Sequence, residues 1–367
     1  MLKKDCKKLN FTVGPVMSSP EVLAVGGSQV PYFRTAEFSA VMKENECLLK
    51  KLMKAPQDAR AVFLTGSGTA AMEAAVMNCL TKKDHAIVVN GGSFGARFAA
   101  ICRTHEIPYD EICLKAGSAL TGAELVPFEQ KGYTAFLVNL GETSTGVLYD
   151  LPLISDFCRR NGLFLIVDAI SAFLADELDM EKSGADVVLT GSQKALALAP
   201  GVSVLVLSEK AQARIAEHPA KCMYFDLSDY LKNMERGQTP FTPAVGILLQ
   251  MNERLRILDA AGGTEAERKR IAALAEDFRS KIAGLPFELF AQTPSNAVTA
   301  LRVTGKTTAT EIFETLKNEY DIFVCPNGGE LRDTVLRVGH IGCLTEKDND
   351  VLIAALHDMK EKGRLLE

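Results

Sequence analysis

Between residues 61 and 207 the hydrophobic positions repeatedly change period. Short β-branched runs at 61–64, 86–89, 135–139, 163–167, 186–190 and 202–207 alternate with stretches at 70–80, 94–105 and 151–161 whose apolar residues recur at helical spacing. Runs such as LFLIVD and AIVVN are apolar at consecutive positions, as a strand must be when both faces are buried. The alternation predicts βαβ units, and so an α/β domain with a mainly parallel central sheet and helices on both faces. Beyond Pro243 the texture changes. Helical patterns at 244–258 and 264–283 flank Gly262-Gly263, and Thr264 and Glu267 have capping-box spacing. Strand-like FELFA, AVTALRV and VLRVG then alternate with helical patterns at 308–320 and 345–362. This predicts a smaller α+β C-terminal domain. The expected division is 12–250 for the large domain and 251–367, with 1–11, for the small one.

Composition narrows the picture. A chain of 367 residues, 47% hydrophobic and 24% charged, suits two domains and a large core. The formal net charge of -5 and the lack of a basic stripe argue against a nucleic-acid partner. The longest apolar run, 195–207, is interrupted by Pro200-Gly201 and is too short to span a bilayer. Residues 1–8 are lysine-rich but lead into no apolar stretch, so no secretory signal is expected. The nine cysteines lack CxxC spacing and the five histidines form no HExxH. Neither a disulfide framework nor a metal site is expected, and a soluble protein of the reducing cytoplasm is.

In open α/β sheets ligands gather beyond the carboxyl ends of the strands. The run at 61–64 leads into Thr65-Gly66-Ser67-Gly68-Thr69, and the run at 86–89 into Asn90-Gly91-Gly92-Ser93-Phe94. After 135–139 come Glu142, Thr143, Ser144 and Thr145; after 163–167 comes Asp168; after 186–190 come Gln193 and Lys194. Each has a plain reading. Ser67 and Asp168 could be helix caps, Phe94 a core residue, and Lys194 a solvated surface residue. Together they offer an anion loop at a helix N-terminus, an aromatic platform, hydroxyls, a carboxylate and an amine. Lys194 follows an apolar strand and precedes ALALAPGVSVLVL, an odd setting for a surface lysine. It suits a Schiff base to an aldehyde cofactor. No Gly-Lys-Ser/Thr follows the glycine loop, which disfavours a nucleoside triphosphate.

VLTGSQKALALAPG resembles the Schiff-base segment of the class V aminotransferases. LIVDAISAF resembles their strand ending in an aspartate, TGSGTAAMEAA their phosphate loop, NLGETSTGV the loop beside the cofactor ring, and VLRVGHIGCLTEKD their carboxylate-binding arginine segment. The similarity runs from about Phe11 to about Asp348. It implies fold type I and pyridoxal 5'-phosphate as cofactor, with Lys194 carrying it and Asp168 on the pyridine nitrogen. It further implies Ser67, Gly68, Thr69 and Gln193 at the phosphate, Phe94 stacked on the ring, and Thr143 and Thr145 near the ring hydroxyl. Thr242 would reach the phosphate of a neighbouring subunit, so a homodimer with shared sites is expected.

Arg337 would hold the substrate α-carboxylate, a task suited to a guanidinium fork. PYFRTAEF resembles a substrate-pocket segment of alanine–glyoxylate and serine–glyoxylate aminotransferases, which puts Tyr32 and Arg34 near the substrate. Tyr32 and Phe33 stand where those enzymes have Gly and His, and so would reshape the pocket. The expected activity is transfer of an amino group from a small amino acid such as alanine or serine to a 2-oxo acid such as glyoxylate or pyruvate. The alternatives are a 2-aminoethylphosphonate–pyruvate transaminase and another enzyme on the same scaffold, such as a cysteine desulfurase, for which Cys325 would be the thiol.

Overall fold

The computed structural model describes residues 8–218 and 222–366. Residues 1–7, most of the lysine-rich start, lie outside the described part. A seven-stranded sheet forms the centre: β1 (Arg60–Thr65), β2 (Ala86–Asn90), β3 (Tyr109–Cys113), β4 (Ala135–Asn139), β5 (Phe164–Asp168), β6 (Val187–Gly191) and β7 (Val202–Leu207). Their order across the sheet is β1-β7-β6-β5-β4-β2-β3. β7 runs antiparallel to both neighbours and every other adjacent pair is parallel. The mainly parallel sheet with helices on both faces is therefore present. β3 is the strand the hydrophobic pattern misses. At the sheet edge its sequence YDEIC buries only Ile112, so it needs no apolar run.

The helices carry their reasons in sequence. α1 (Ala36–Leu52) starts at Thr35, whose hydroxyl accepts from the Phe38 N–H. α2 (Gly68–Cys79) and α3 (Gly95–Thr104) follow the glycine loops after β1 and β2. α4 (Leu151–Asn161) is capped by Asp150 and stopped by Gly162 in the left-handed region, φ 66°. Phe136 of β4 meets Phe157 of α4 edge-on at 5.9 Å, and both are fully buried. Burying a side chain of that size stabilises the fold by roughly 1.5–3 kcal/mol.

α5 (Val245–Ala260) and α6 (Gly263–Lys281) are joined through Gly262 and Gly263, both at positive φ. The capping box expected at Thr264 does not form. Its hydroxyl donates to the Leu52 carbonyl, while Glu267 pairs with Arg254 and Arg270. Packing across elements outbids the local cap. Along α6, Ile271 packs into the large core, and Leu274 and Phe278 into a second one. That second core lies among β8 (Phe287–Leu289), β9 (Val298–Val303), β10 (Val335–Gly339), α7 (Ala309–Glu319) and α8 (Glu346–Glu361). β9 is the middle strand of this antiparallel sheet. Phe11 belongs to the same core, its carbonyl accepting from the Gly339 N–H at 2.7 Å. Among the described residues no helix is long and apolar enough to cross a membrane.

Candidate active site

The carboxyl ends of β4 and β5 put two polar side chains side by side, and the segment after β6 adds a third. Asn139, Asp168 and Leu189 are cross-strand neighbours, and Lys194 follows β6 after a turn at Ser192 and Gln193. That turn is rigid. Ser192 Oγ donates to the Ala199 carbonyl, and Ala197 closes back on Lys194 with its N–H on the Lys194 carbonyl at 2.8 Å. From α5, Arg254 donates to the Leu196 and Ala195 carbonyls and is held by Glu267 at 2.6 Å.

Lys194 is only 8% exposed. Burial lowers its ammonium pKa to about 8, with the positive Arg337 and Arg97 adding to the effect and Cys325 and Asp168 opposing it. Asp168 is also buried, and desolvation pushes its carboxyl up to about 6 against two hydrogen bonds that pull it down. Those bonds come from the Ile170 N–H at 2.8 Å and from Asn139 Nδ2 at 2.5 Å. Asn139 Oδ1 is buried without a partner.

A cavity opens over these groups. Ser67, Gly68, Thr69, Phe94, Thr143, Asp168, Gln193 and Lys194 all line it, together with Arg97 and Met72, which the sequence did not single out. Ser67, Gly68 and Thr69 line it where α2 begins, and Ser67 supplies no side-chain cap to the first backbone N–H groups of that helix. A Cβ at Gly68 would meet Ile170 Cδ1 at 2.4 Å, so a larger residue there would displace the Ile170 side chain that lines the cavity. Phe94 forms one wall. Its loop is fixed by the buried Glu142, which accepts from the N–H groups of Phe94, Gly95 and Ser144 and from the Ser144 hydroxyl. The Thr143 hydroxyl is bonded to that of Ser171. Thr145 is buried, its hydroxyl on the Glu142 carbonyl, and it does not line the cavity.

The N-terminal strap closes in from the other side. Gly14, at φ +131°, lies so near Lys194 that a Cβ there would meet its Cδ at 2.9 Å. Arg337 on β10 reaches back to the 143 loop. Its Nη1 donates to the Thr143 carbonyl at 3.1 Å and its Nη2 to the Pro326 carbonyl at 2.6 Å, while Nε is buried without a partner. This cation meets carbonyl oxygens and no carboxylate among the described residues.

The remaining candidates lie elsewhere on the chain. Tyr32 is 69% exposed. Arg34 donates to Gln238 Oε1 and to the carbonyls of Thr239 and Pro240, and its guanidinium covers the Phe33 ring at 4.7 Å. Thr242 is exposed in a separate concavity beside Val30, Pro243 and Ile247. Neither Tyr32, Arg34 nor Thr242 faces the Lys194 cavity of its own chain.

Size is not what distinguishes the site. A cavity of about 480 Å³ beside α4, lined by Asp150, Asp156 and Arg159, is larger than the 120 Å³ around Lys194. Convergent polar groups with displaced ionisation mark a reactive site better than volume does. The donors also fit pyridoxal 5'-phosphate: an uncapped helix N-terminus for an anion, a carboxylate for a ring nitrogen, an aromatic wall for a flat ring and a buried amine for an aldehyde.

Comparison with known proteins agrees. The family described as aminotransferase class-V matches residues 26–330. An uncharacterized aminotransferase of Methanocaldococcus jannaschii is 31% identical over 367 residues, covering 97% of this chain and 94% of that protein. The alanine–glyoxylate aminotransferase of Oryctolagus cuniculus is 29% identical, covering 97% and 94%. Among solved structures, an alanine–glyoxylate aminotransferase from Nostoc sp. has the same fold, with TM-score 0.92 at 23% identity over 98% of this chain and 97% of that one.

Proposed function

Since the chain belongs to the class V aminotransferases, whose cofactor is pyridoxal 5'-phosphate, we propose that it moves the amino group of a small amino acid of the alanine or serine type to a 2-oxo acid such as glyoxylate or pyruvate. The observation that carries this is the buried Lys194 amine, beside Asp168 and within electrostatic reach of Arg337. Lys194 would carry the cofactor and Asp168 would pair with its ring nitrogen. Gly68 and Thr69, with Ser67 and Gln193 close by, would hold the phosphate, Phe94 would face the ring, and Thr143, backed by Thr145, would lie by the ring hydroxyl. Bound, the cofactor supplies an electron-withdrawing ring that stabilises negative charge on the substrate α-carbon.

The chain's own residues then have defined tasks. Arg337 exchanges carbonyl partners for the substrate α-carboxylate, a stronger, charge-assisted pairing. The Lys194 amine, once released, takes the proton from the α-carbon as a general base, and its lowered pKa keeps a useful fraction neutral near pH 7. Phe94, Met72 and Ile170 exclude water from that exchange. Arg34, the cation considered for a phosphonate donor, bonds to Gln238, Thr239 and Pro240 and does not line the Lys194 cavity of its own chain, which supports the carboxylate donor. Cys325 sits in a bridge with Arg337 rather than on a mobile loop, which favours amino transfer over sulfur abstraction.

The proposal extends to a homodimer with shared sites. Val30 is half exposed in the concavity that holds Thr242, and Tyr32, Met223 and Tyr224 are further exposed apolar side chains; in the proposed dimer Thr242 and Tyr32 would reach the cofactor pocket of the second copy. We place the protein in the cytoplasm, in keeping with eight described cysteines that are all free thiols. The test is a panel of amino donors, read as conversion of bound cofactor to its pyridoxamine form. Alanine or serine should convert it fastest. Conversion by 2-aminoethylphosphonate alone would overturn the donor class.

A further inference from the structure

We propose that Arg97, on the first turn of α3, is the side-chain cation that binds the cofactor's phosphate. The inference rests on the reading of this cavity as a pyridoxal-phosphate site and adds a residue to it. Of the groups lining the cavity, two are cations, Lys194 and Arg97. Lys194 would be taken by the aldehyde. A phosphate dianion brought into a half-closed site loses hydration that neutral hydroxyls and amides restore only in part.

Arg97 stands where that deficit falls. Its Nη1 is 3.0 Å from the Thr69 hydroxyl, at the open start of α2. Among the described residues it meets no carboxylate, so its positive charge is unspent. Its guanidinium lies over the Phe94 ring, 4.7 Å from the centroid, which fixes the fork without using its N–H groups. The Glu142 bonds to the Phe94 and Gly95 N–H groups in turn hold the start of α3, and with it Arg97, in register with α2. A cation spent only on the Phe94 face would be a support for the ring platform. A cation at the phosphate would act on the phosphate alone.

Comparing pyridoxal 5'-phosphate with pyridoxal, which lacks the phosphate, separates these roles. Both are titrated into full-length protein freed of cofactor, for wild type, Arg97→Met and Arg97→Lys. Met keeps an apolar stem on Phe94 and Lys keeps a charge. For Arg97→Met, affinity for pyridoxal 5'-phosphate should fall about 10- to 100-fold, the range for lost charge-assisted hydrogen bonds. Affinity for pyridoxal should change less than about threefold. Inorganic phosphate should compete with cofactor binding in wild type and Arg97→Lys but much more weakly in Arg97→Met. Equal weakening of both aldehydes, or of neither, overturns the assignment. If Arg97→Met does not fold, unaltered phosphate competition against Arg97→Gln, checked by its circular dichroism, does the same. Failure of wild type to bind pyridoxal 5'-phosphate at all would instead sink the underlying reading of the cavity.

Discussion

At the residue scale the argument turns on ionisation. A lysine with an ordinary pKa is almost wholly protonated at pH 7 and a poor nucleophile, whereas burial brings Lys194 to about 8. The neutral amine grows as pH rises through that value and is lost below it. The rate at which cofactor-free protein captures pyridoxal 5'-phosphate should therefore rise up to about pH 8 and then level off. A stopped-flow profile that keeps rising to pH 10 would contradict the lowered pKa. Asn139 is the second residue to test. It donates to the Asp168 carboxylate, which burial already pushes up to about 6. Asn139→Ala removes a hydrogen bond to a charged group, roughly 1.5–3 kcal/mol, and pushes that carboxyl further toward neutrality at pH 7. Cofactor affinity should fall about tenfold, with no change for an analogue whose ring nitrogen is replaced by carbon. Lys194 and Asp168 were legible in sequence because Asp168 ends an apolar run and Lys194 stands between two of them, where a charge is out of place. Arg97 and Asn139 were not: an arginine three residues after Phe94 looks like a solvated helix face, and a polar residue ending a strand looks like its boundary. Glu142 was read only as one of the polar groups after its strand, not as the acceptor that fixes the Phe94 loop.

At the element scale, burial on both faces made six of the seven central strands readable, while β3 escaped because an edge strand buries little. The misread capping box shows the limit of local patterns. Glu267 faces inward, where Arg254 holds it at 2.6 Å and Arg270 at 2.9 Å, and Arg254 pins the loop that begins at Lys194. Glu267→Leu would leave two cations close together with no acid between them. We expect a loss of about 3–5 kcal/mol in denaturant unfolding, and slower cofactor capture as the Lys194 turn loosens. A change under about 1 kcal/mol would mean that the triad is solvated and not structural. The strap through Gly14 gives an independent check. Gly14→Ala places a methyl against Lys194 at a φ that disfavours any Cβ. Turnover should fall sharply with far-UV circular dichroism intact.

At the scale of the whole molecule, the site is a product of distant segments. Residues 11–15 run from the smaller core to Lys194, and Arg337 on β10 reaches the loop after β4. Periodicity announces elements but not such convergence, which is why the central sheet was readable and the placement of the strap was not. We propose a division of the chain near residue 250 and an active homodimer. In sedimentation the particle should weigh about twice the 39.7 kDa chain. Thr242→Ala should weaken cofactor binding only if a neighbour's residue enters the site, and full activity in a monomer would exclude sharing. The most direct test of the central claim is borohydride reduction of the yellow holoenzyme, followed by proteolysis and mass mapping. The account predicts a phosphopyridoxyl group on the peptide carrying Lys194 and on no other. A label on a different lysine, or no label at all, would contradict it.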